Sequence, residues 1–166
     1  MLSINFKPNA IYEPLRCLAT SLAASAKVGM PNSAIMFEIT EDEVVRDPRR
    51  LRNIVTAYQK IGFTVALDDF GAGYASLGML IDIQPDVIKL DMKLVRSIAA
   101  DPVRVAVVRS MVALCHELGI ELIAEGIETV AEYRTLQSIG IILFQGFLFA
   151  HPMIGLLQTP TAVPPQ

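Results

Sequence analysis

The residues able to do chemistry in this sequence are mostly carboxylates, and they sit in or at the ends of short apolar runs. Glu38 lies in Ile35–Thr40, Asp68 and Asp69 close the run that begins at Phe63, and Lys89 and Asp91 fall in Val87–Asp91. Glu125 lies near the end of Glu121–Ile127 with Glu128 just beyond it, Gln145 ends Ile141–Gln145, and Asn5 stands in Leu2–Phe6. Acids gathered in one place repel one another and raise each other's pKa unless cations hold them. No cysteine and no histidine pair accompanies them, so an oxygen-only donor set of this kind suits Mg2+ or Mn2+ rather than zinc. Two such ions about 4 Å apart activate water and stabilise both oxygens of an in-line phosphoryl displacement. A lysine among them orients that water or offsets developing charge.

Six elements must carry these residues: Leu2–Phe6, Ile35–Thr40, Phe63–Asp69, Val87–Asp91, Glu121–Ile127 and Ile141–Gln145 read as buried strands, each bounded by turn or polar residues. In Ile35–Thr40 the alternation sets Ile35, Phe37 and Ile39 on a packing face and Met36, Glu38 and Thr40 on the other. Between the strands, Tyr12–Val28, Asp47–Ile61, Val103–Leu118 and Thr129–Ile139 repeat apolar residues at helical spacing. Thr129 with Glu132 three residues later reads as a capped helix start, and Gly62, Gly119 and Gly140 as helix stops. The run 46–52 mixes arginines with Asp47 and reads as the solvated start of a helix. Strand–helix alternation predicts a parallel sheet covered by helices. Polar residues at the C-terminal ends of such strands converge on the mouth where barrel enzymes do their chemistry.

The length of 166 residues fits one domain with a sizeable core. Hydrophobic residues make up 52% of it and charged residues 19%, but no apolar run reaches the roughly 18 residues of a membrane span. A net charge of −3 and a pI near 5.4 argue against a nucleic-acid surface. They do not exclude a small anionic ligand, since bound cations supply positive charge locally. Cys17 and Cys115, each inside a helical pattern, read as core residues in a reducing compartment. No basic leader precedes the first strand, so the expectation is a cytoplasmic protein without a signal peptide.

The string Asp68-Asp69-Phe70-Gly71-Ala72-Gly73-Tyr74-Ala75-Ser76-Leu77 resembles the DDFGxGYxSL signature of EAL domains. In the family's order around it stand Phe37-Glu38-Ile39-Thr40-Glu41, Ile88-Lys89-Leu90-Asp91, Ala124-Glu125-Gly126-Ile127-Glu128-Thr129 and Gln145-Gly146-Phe147-Leu148-Phe149, with Ile4-Asn5-Phe6 similar to the asparagine strand. Asn5–Tyr12, together with Ala72, looks most like the EAL domains attached to BLUF blue-light sensors. The resemblance implies an α/β modified TIM barrel that hydrolyses the bacterial second messenger cyclic di-GMP to linear pGpG with two divalent cations, Mg2+ or Mn2+. Carried over residue by residue, it implies that Asn5, Glu38 and Asp68 hold one metal. Asp68 would bridge to a second, held also by Asp69 and Glu125. Lys89 would contact the attacking water and Glu125 would help to deprotonate it. Glu128 and Gln145 would complete the polar wall, and Glu41 would anchor the loop Phe70–Leu77. A homodimer and an upstream sensor such as BLUF are implied as partners.

The Glu-Ala-Leu motif that names the family, and the arginine after it, belong upstream of Asn5 and are not among these residues. The expectation is therefore a partial (β/α)8 barrel, with six of eight strands over residues 1–155 and the first two strands and their helices lacking. A Pro-rich disordered tail is expected over residues 156–166. This chain is expected to be inactive by itself. The alternative reading is a degenerate EAL module that binds cyclic di-GMP or a protein partner without cleaving.

Overall fold

The computed structural model describes residues 1–7, 9, 11, 14–40, 47–73, 76–155 and 159–160. Along the chain come β1 (Leu2–Asn5), α1 (Pro14–Lys27), β2 (Ile35–Thr40), α2 (Pro48–Ile61), β3 (Thr64–Phe70), α3 (Ser76–Ile83), β4 (Val87–Leu90), α4 (Met92–Val95), α5 (Pro102–Leu118), β5 (Glu121–Ala124), α6 (Val130–Ile139) and β6 (Leu143–Phe144). The strands form one six-stranded sheet in the order β1-β2-β3-β4-β5-β6. The β1–β2, β2–β3 and β5–β6 pairs are parallel. Consecutive parallel strands with helical crossovers are the arrangement of a (β/α)8 barrel, here over six strands, as the sequence predicts.

Local chemistry explains most of the boundaries. Both long central helices open on Asp-Pro: Asp47 and Asp101 cap α2 and α5 with side-chain bonds from Arg50 N and from Val103 N and Arg104 N, and proline takes the first helical position. Gly62, Gly119 and Gly140 stop α2, α5 and α6 in the left-handed conformation, as expected. Two helices go beyond the sequence reading. The eight residues of α3 are apolar almost all round and include Gly78, which hides a helical period, and α4 is a single turn capped by Asp91. Asp91 therefore closes the strand instead of sharing its face with Lys89.

The chain divides into two compact units, Met1–Ile88 and Lys89–Gln166. In the first, Phe37 stacks edge-on against Tyr58 and Phe63, with ring centroids 4.9 Å and 5.2 Å away, and meets Phe6 at 5.9 Å. Ile35 to Ile39 are all buried, so both faces of β2 are covered, as is usual in parallel sheets, and not only the face of Ile35, Phe37 and Ile39. The arginines of α2 do more than face solvent. Arg52 Nη2 donates to Ile81 O at 2.8 Å and its Nε to Asp82 O, satisfying carbonyls near the end of α3, and Arg50 Nη2 donates to Ile11 O. In the second unit, Leu90, Val95, Ile98, Val108, Cys115, Ala124, Ile127, Leu136 and Ile141 form the core. Burial there pushes the Cys115 thiol up to about 11, in keeping with a cysteine used as a small hydrophobe.

Candidate metal centre

In the first unit, strand register brings three of the expected ligands onto one sheet face. Asn5 pairs with Glu38 directly across β1 and β2, and Glu38 pairs with Ala66 of β3. Asp68 pairs with Thr40, two residues further along the same face. Strand spacing and rise put Asn5 and Glu38 about 4.8 Å apart at Cα, and Glu38 and Asp68 roughly 8 Å apart. Glu38 is 6% exposed and Asp68 9%. Carboxylates buried this close call for positive charge, and an amide and two carboxylates offer only hard oxygen donors.

Asp69 breaks the regular backbone geometry near the end of β3. Its φ is +54°, a left-handed backbone that aspartate tolerates better than most residues. Its N–H donates to Asp68 Oδ1 at 3.0 Å, and its carbonyl accepts from Ala72 N at 3.1 Å. The turn takes the Asp69 side chain out of the alternation that the sequence suggests for Phe63–Asp69. Glu41 lies outside the described residues, as do Tyr74 and Ala75 of the loop it was expected to anchor.

In the second unit, Lys89 and Glu125 form an ion pair, Nζ to Oε1 2.8 Å, with side chains 6% and 13% exposed. A buried lysine is uncommon, and pairing at hydrogen-bond distance is what makes it tolerable. Glu125 stands just past β5, its N–H donating to Leu90 O at 3.2 Å. The strand stops there because Gly126 turns to φ +69°. A Cβ at Gly126 would lie 2.6 Å from Met92 Cβ. The strip 125–128 is laced to the segment after β6 by Gln145 N to Ala124 O at 2.9 Å, Ile127 N to Gln145 O at 3.1 Å and Leu148 N to Ile127 O at 3.0 Å. Gly146 sits so close to this strip that a Cβ would overlap the Ile127 backbone. The glycines of Glu125-Gly126 and Gln145-Gly146 thus let two site-bearing segments run side by side.

Glu128 is engaged by an arginine that sequence reasoning did not single out. Arg96 Nη2 donates to Glu128 Oε1 at 2.7 Å, and a second guanidinium nitrogen meets Oε2. The hydrogen bond from Arg96 holds the Glu128 carboxyl below its ordinary range. Glu132, read from the sequence only as a capping residue, is buried at 3% exposure. The capping box with Thr129 is present. Burial raises the Glu132 pKa, but backbone donors from Ser97, Glu128 and Thr129 together outweigh it and leave the carboxyl lowered. Gln145 is exposed beside β6. No helix among the described residues is long and apolar enough to cross a membrane.

Residues 1–152 match the EAL domain family. Among curated proteins, the chain is 37% identical over 153 residues to the cyclic di-GMP phosphodiesterase RocR of Pseudomonas aeruginosa, covering 92% of this chain and 38% of RocR. Among solved structures, a standalone EAL protein from Vibrio cholerae O395 in its c-di-GMP-bound form superposes with a TM-score of 0.91 at 44% identity, covering 96% of this chain and 68% of that one. Klebsiella pneumoniae BlrP1 in a manganese/cy-diGMP complex follows with a TM-score of 0.84 at 40% identity, covering 92% of this chain and 39% of BlrP1.

Proposed function

Because the chain belongs to the EAL domain family, we propose that it forms the larger part of a metal-dependent phosphodiesterase that hydrolyses cyclic di-GMP to linear pGpG. The observation that carries the proposal is the register of β1, β2 and β3, which sets Asn5, Glu38 and Asp68 on one face of the sheet. The named activity of RocR and the cyclic di-GMP in the Vibrio and Klebsiella structures support the choice of substrate. The manganese in the BlrP1 complex agrees with the oxygen donors present here.

In this reading Asn5, Glu38 and Asp68 hold one Mg2+ or Mn2+, and Asp68 also serves a second, held by Asp69 and Glu125. Bound there, the cations supply Lewis acidity at the phosphate and a water acidified for attack. Lys89 orients that water. Glu125, ion-paired to Lys89, would receive its proton. The water oxygen forms the new bond to phosphorus and one ribose 3′-oxygen leaves, which opens the ring to pGpG. Glu128 and Gln145 complete the polar wall, and Glu41 anchors the loop after Asp69. The reading further assigns residues 1–155 to the domain, a cytoplasmic setting, a homodimer and an upstream sensor such as BLUF. Sedimentation and light-dependent turnover test the last two.

The experiment is a product assay on the full-length protein with Mn2+, joined to calorimetry with cyclic di-GMP. The wild type is expected to release pGpG, and Asp68→Asn to lose at least about 100-fold of the rate, since it removes a charged ligand shared by both cations. Unchanged turnover in Asp68→Asn would rule the mechanism out. Binding without product in the wild type would assign the non-catalytic module instead.

A further inference from the structure

We propose that Glu132 is a positioning residue for Glu125: its carboxylate staples the strip that carries Glu125 and Glu128 to the turn that carries Arg96. The inference rests on the reading of Glu125 as a catalytic group.

A glutamate at the third position of a helix ordinarily completes a capping box by accepting one backbone bond, from the cap residue. Here Oε2 accepts from Thr129 N at 3.0 Å and also from Glu128 N at 3.1 Å. The other oxygen, Oε1, accepts from Ser97 N at 3.0 Å, across 35 residues of sequence. A cap needs neither of the last two bonds. Ser97 is held at φ +59°, a conformation that costs a non-glycine residue free energy and persists only where its surroundings impose it. The residue before it, Arg96, makes the ion pair to Glu128. Arg104 Nη1 donates to Arg96 O at 2.9 Å and closes the turn from the other side.

One buried carboxylate therefore fixes the backbone at both ends of the Arg96–Glu128 pair, and through residues 126–128 it fixes where Glu125 leaves the sheet. Glu125 then meets Lys89 at 2.8 Å. A displacement of about 1 Å in a reacting group can cost as much as 100-fold in rate, so the consequence belongs to kcat more than to substrate binding.

The test compares Glu132→Gln with Thr129→Ala in the full-length protein at saturating Mn2+. Glutamine keeps the length of the side chain but turns an NH2 toward N–H donors. Thr129→Ala removes a helix cap at a cost of about 1 kcal/mol and leaves the Glu132 carboxylate in place. Glu132→Gln is expected to lower kcat between about 10- and 100-fold with KM within about twofold, while Thr129→Ala lowers Tm and leaves kcat near wild type. Equal kcat for Glu132→Gln and wild type, or a kcat loss that tracks Tm in both variants, would overturn the proposal. If Glu132→Gln does not fold, amide exchange on the wild type decides: slow exchange at Ser97, Glu128 and Thr129 supports the staple, and exchange at the rate of an open loop overturns it. A wild type that binds cyclic di-GMP without turning it over refutes the hydrolase reading and the role of Glu125 with it. Loss of the inference alone would be seen against an active wild type.

Discussion

Asp69 shows how much of a site is chemistry and how much is backbone. Its left-handed φ is open to Asp and Asn at low cost and closed to β-branched residues. Asp69→Asn should leave the unfolding temperature within a degree or two and weaken Mn2+ binding. Asp69→Val should also destabilise the fold by about 1–3 kcal/mol. Calorimetry and thermal melts on the pair separate the two contributions, and equal Mn2+ affinity in Asp69→Asn and wild type would remove Asp69 from the ligand set. The residue type was legible in the sequence, because Asp69 falls in the string 68–77 that resembles the EAL signature. The turn was not, because strict alternation gave no reason to break at Asp69.

A second set of single positions answers to pH. Glu128 is lowered chiefly by the hydrogen bond from Arg96. Glu132 is lowered by its three backbone donors against the pull of burial. Both carboxyls are thus more acidic folded than unfolded. The unfolded chain binds more protons below the ordinary glutamate pKa of about 4.3, so the stability these groups confer is present above that value and is lost as pH falls through their depressed folded pKa. Melts between about pH 5 and 3 should show a steep loss for the wild type and a shallower one for Glu132→Gln. An unchanged slope would mean that the carboxylate is not held as described. The pairing of Thr129 with Glu132 was readable from their spacing of three. The bond to Ser97 was not, because no local rule links residues 35 apart.

Among the elements, those with strong end signals were the readable ones. The Asp-Pro starts of α2 and α5 and the glycine stops of α2, α5 and α6 define those helices within a residue or two. The strands were read in the right number and order but too long at β5 and β6; at β5 the apolar run continues past Ala124 while the backbone turns at Gly126. The two glycines that permit this also yield a prediction. Gly126→Ala meets both a left-handed φ and Met92 Cβ at 2.6 Å, and Gly146→Ala meets the Ile127 backbone, which cannot move aside as a side chain can. Each should cost about 1–3 kcal/mol, with Gly146→Ala the larger, measured by denaturant unfolding of the full-length protein. A change under about 0.5 kcal/mol for Gly146→Ala would show that the strip 125–128 does not run beside Gly146 as described.

Taken entire, the chain spans 38% of RocR and matches the EAL family over residues 1–152. Its two units each carry part of the proposed machinery: Asn5, Glu38, Asp68 and Asp69 in Met1–Ile88, and Lys89 and Glu125 in Lys89–Gln166. That division was invisible in the sequence, where the motifs read as one ordered series. It follows from long-range packing, which periodicity does not encode. The central claim is that acids on successive strands bind divalent cations in common. Crystals of the full-length protein grown with Mn2+ and measured for anomalous scattering test it directly. The account predicts a peak coordinated by Asn5, Glu38 and Asp68 and a second touching Asp68, Asp69 and Glu125, both absent in Asp68→Asn. A wild-type map with no peak at Glu38 and Asp68 would contradict it.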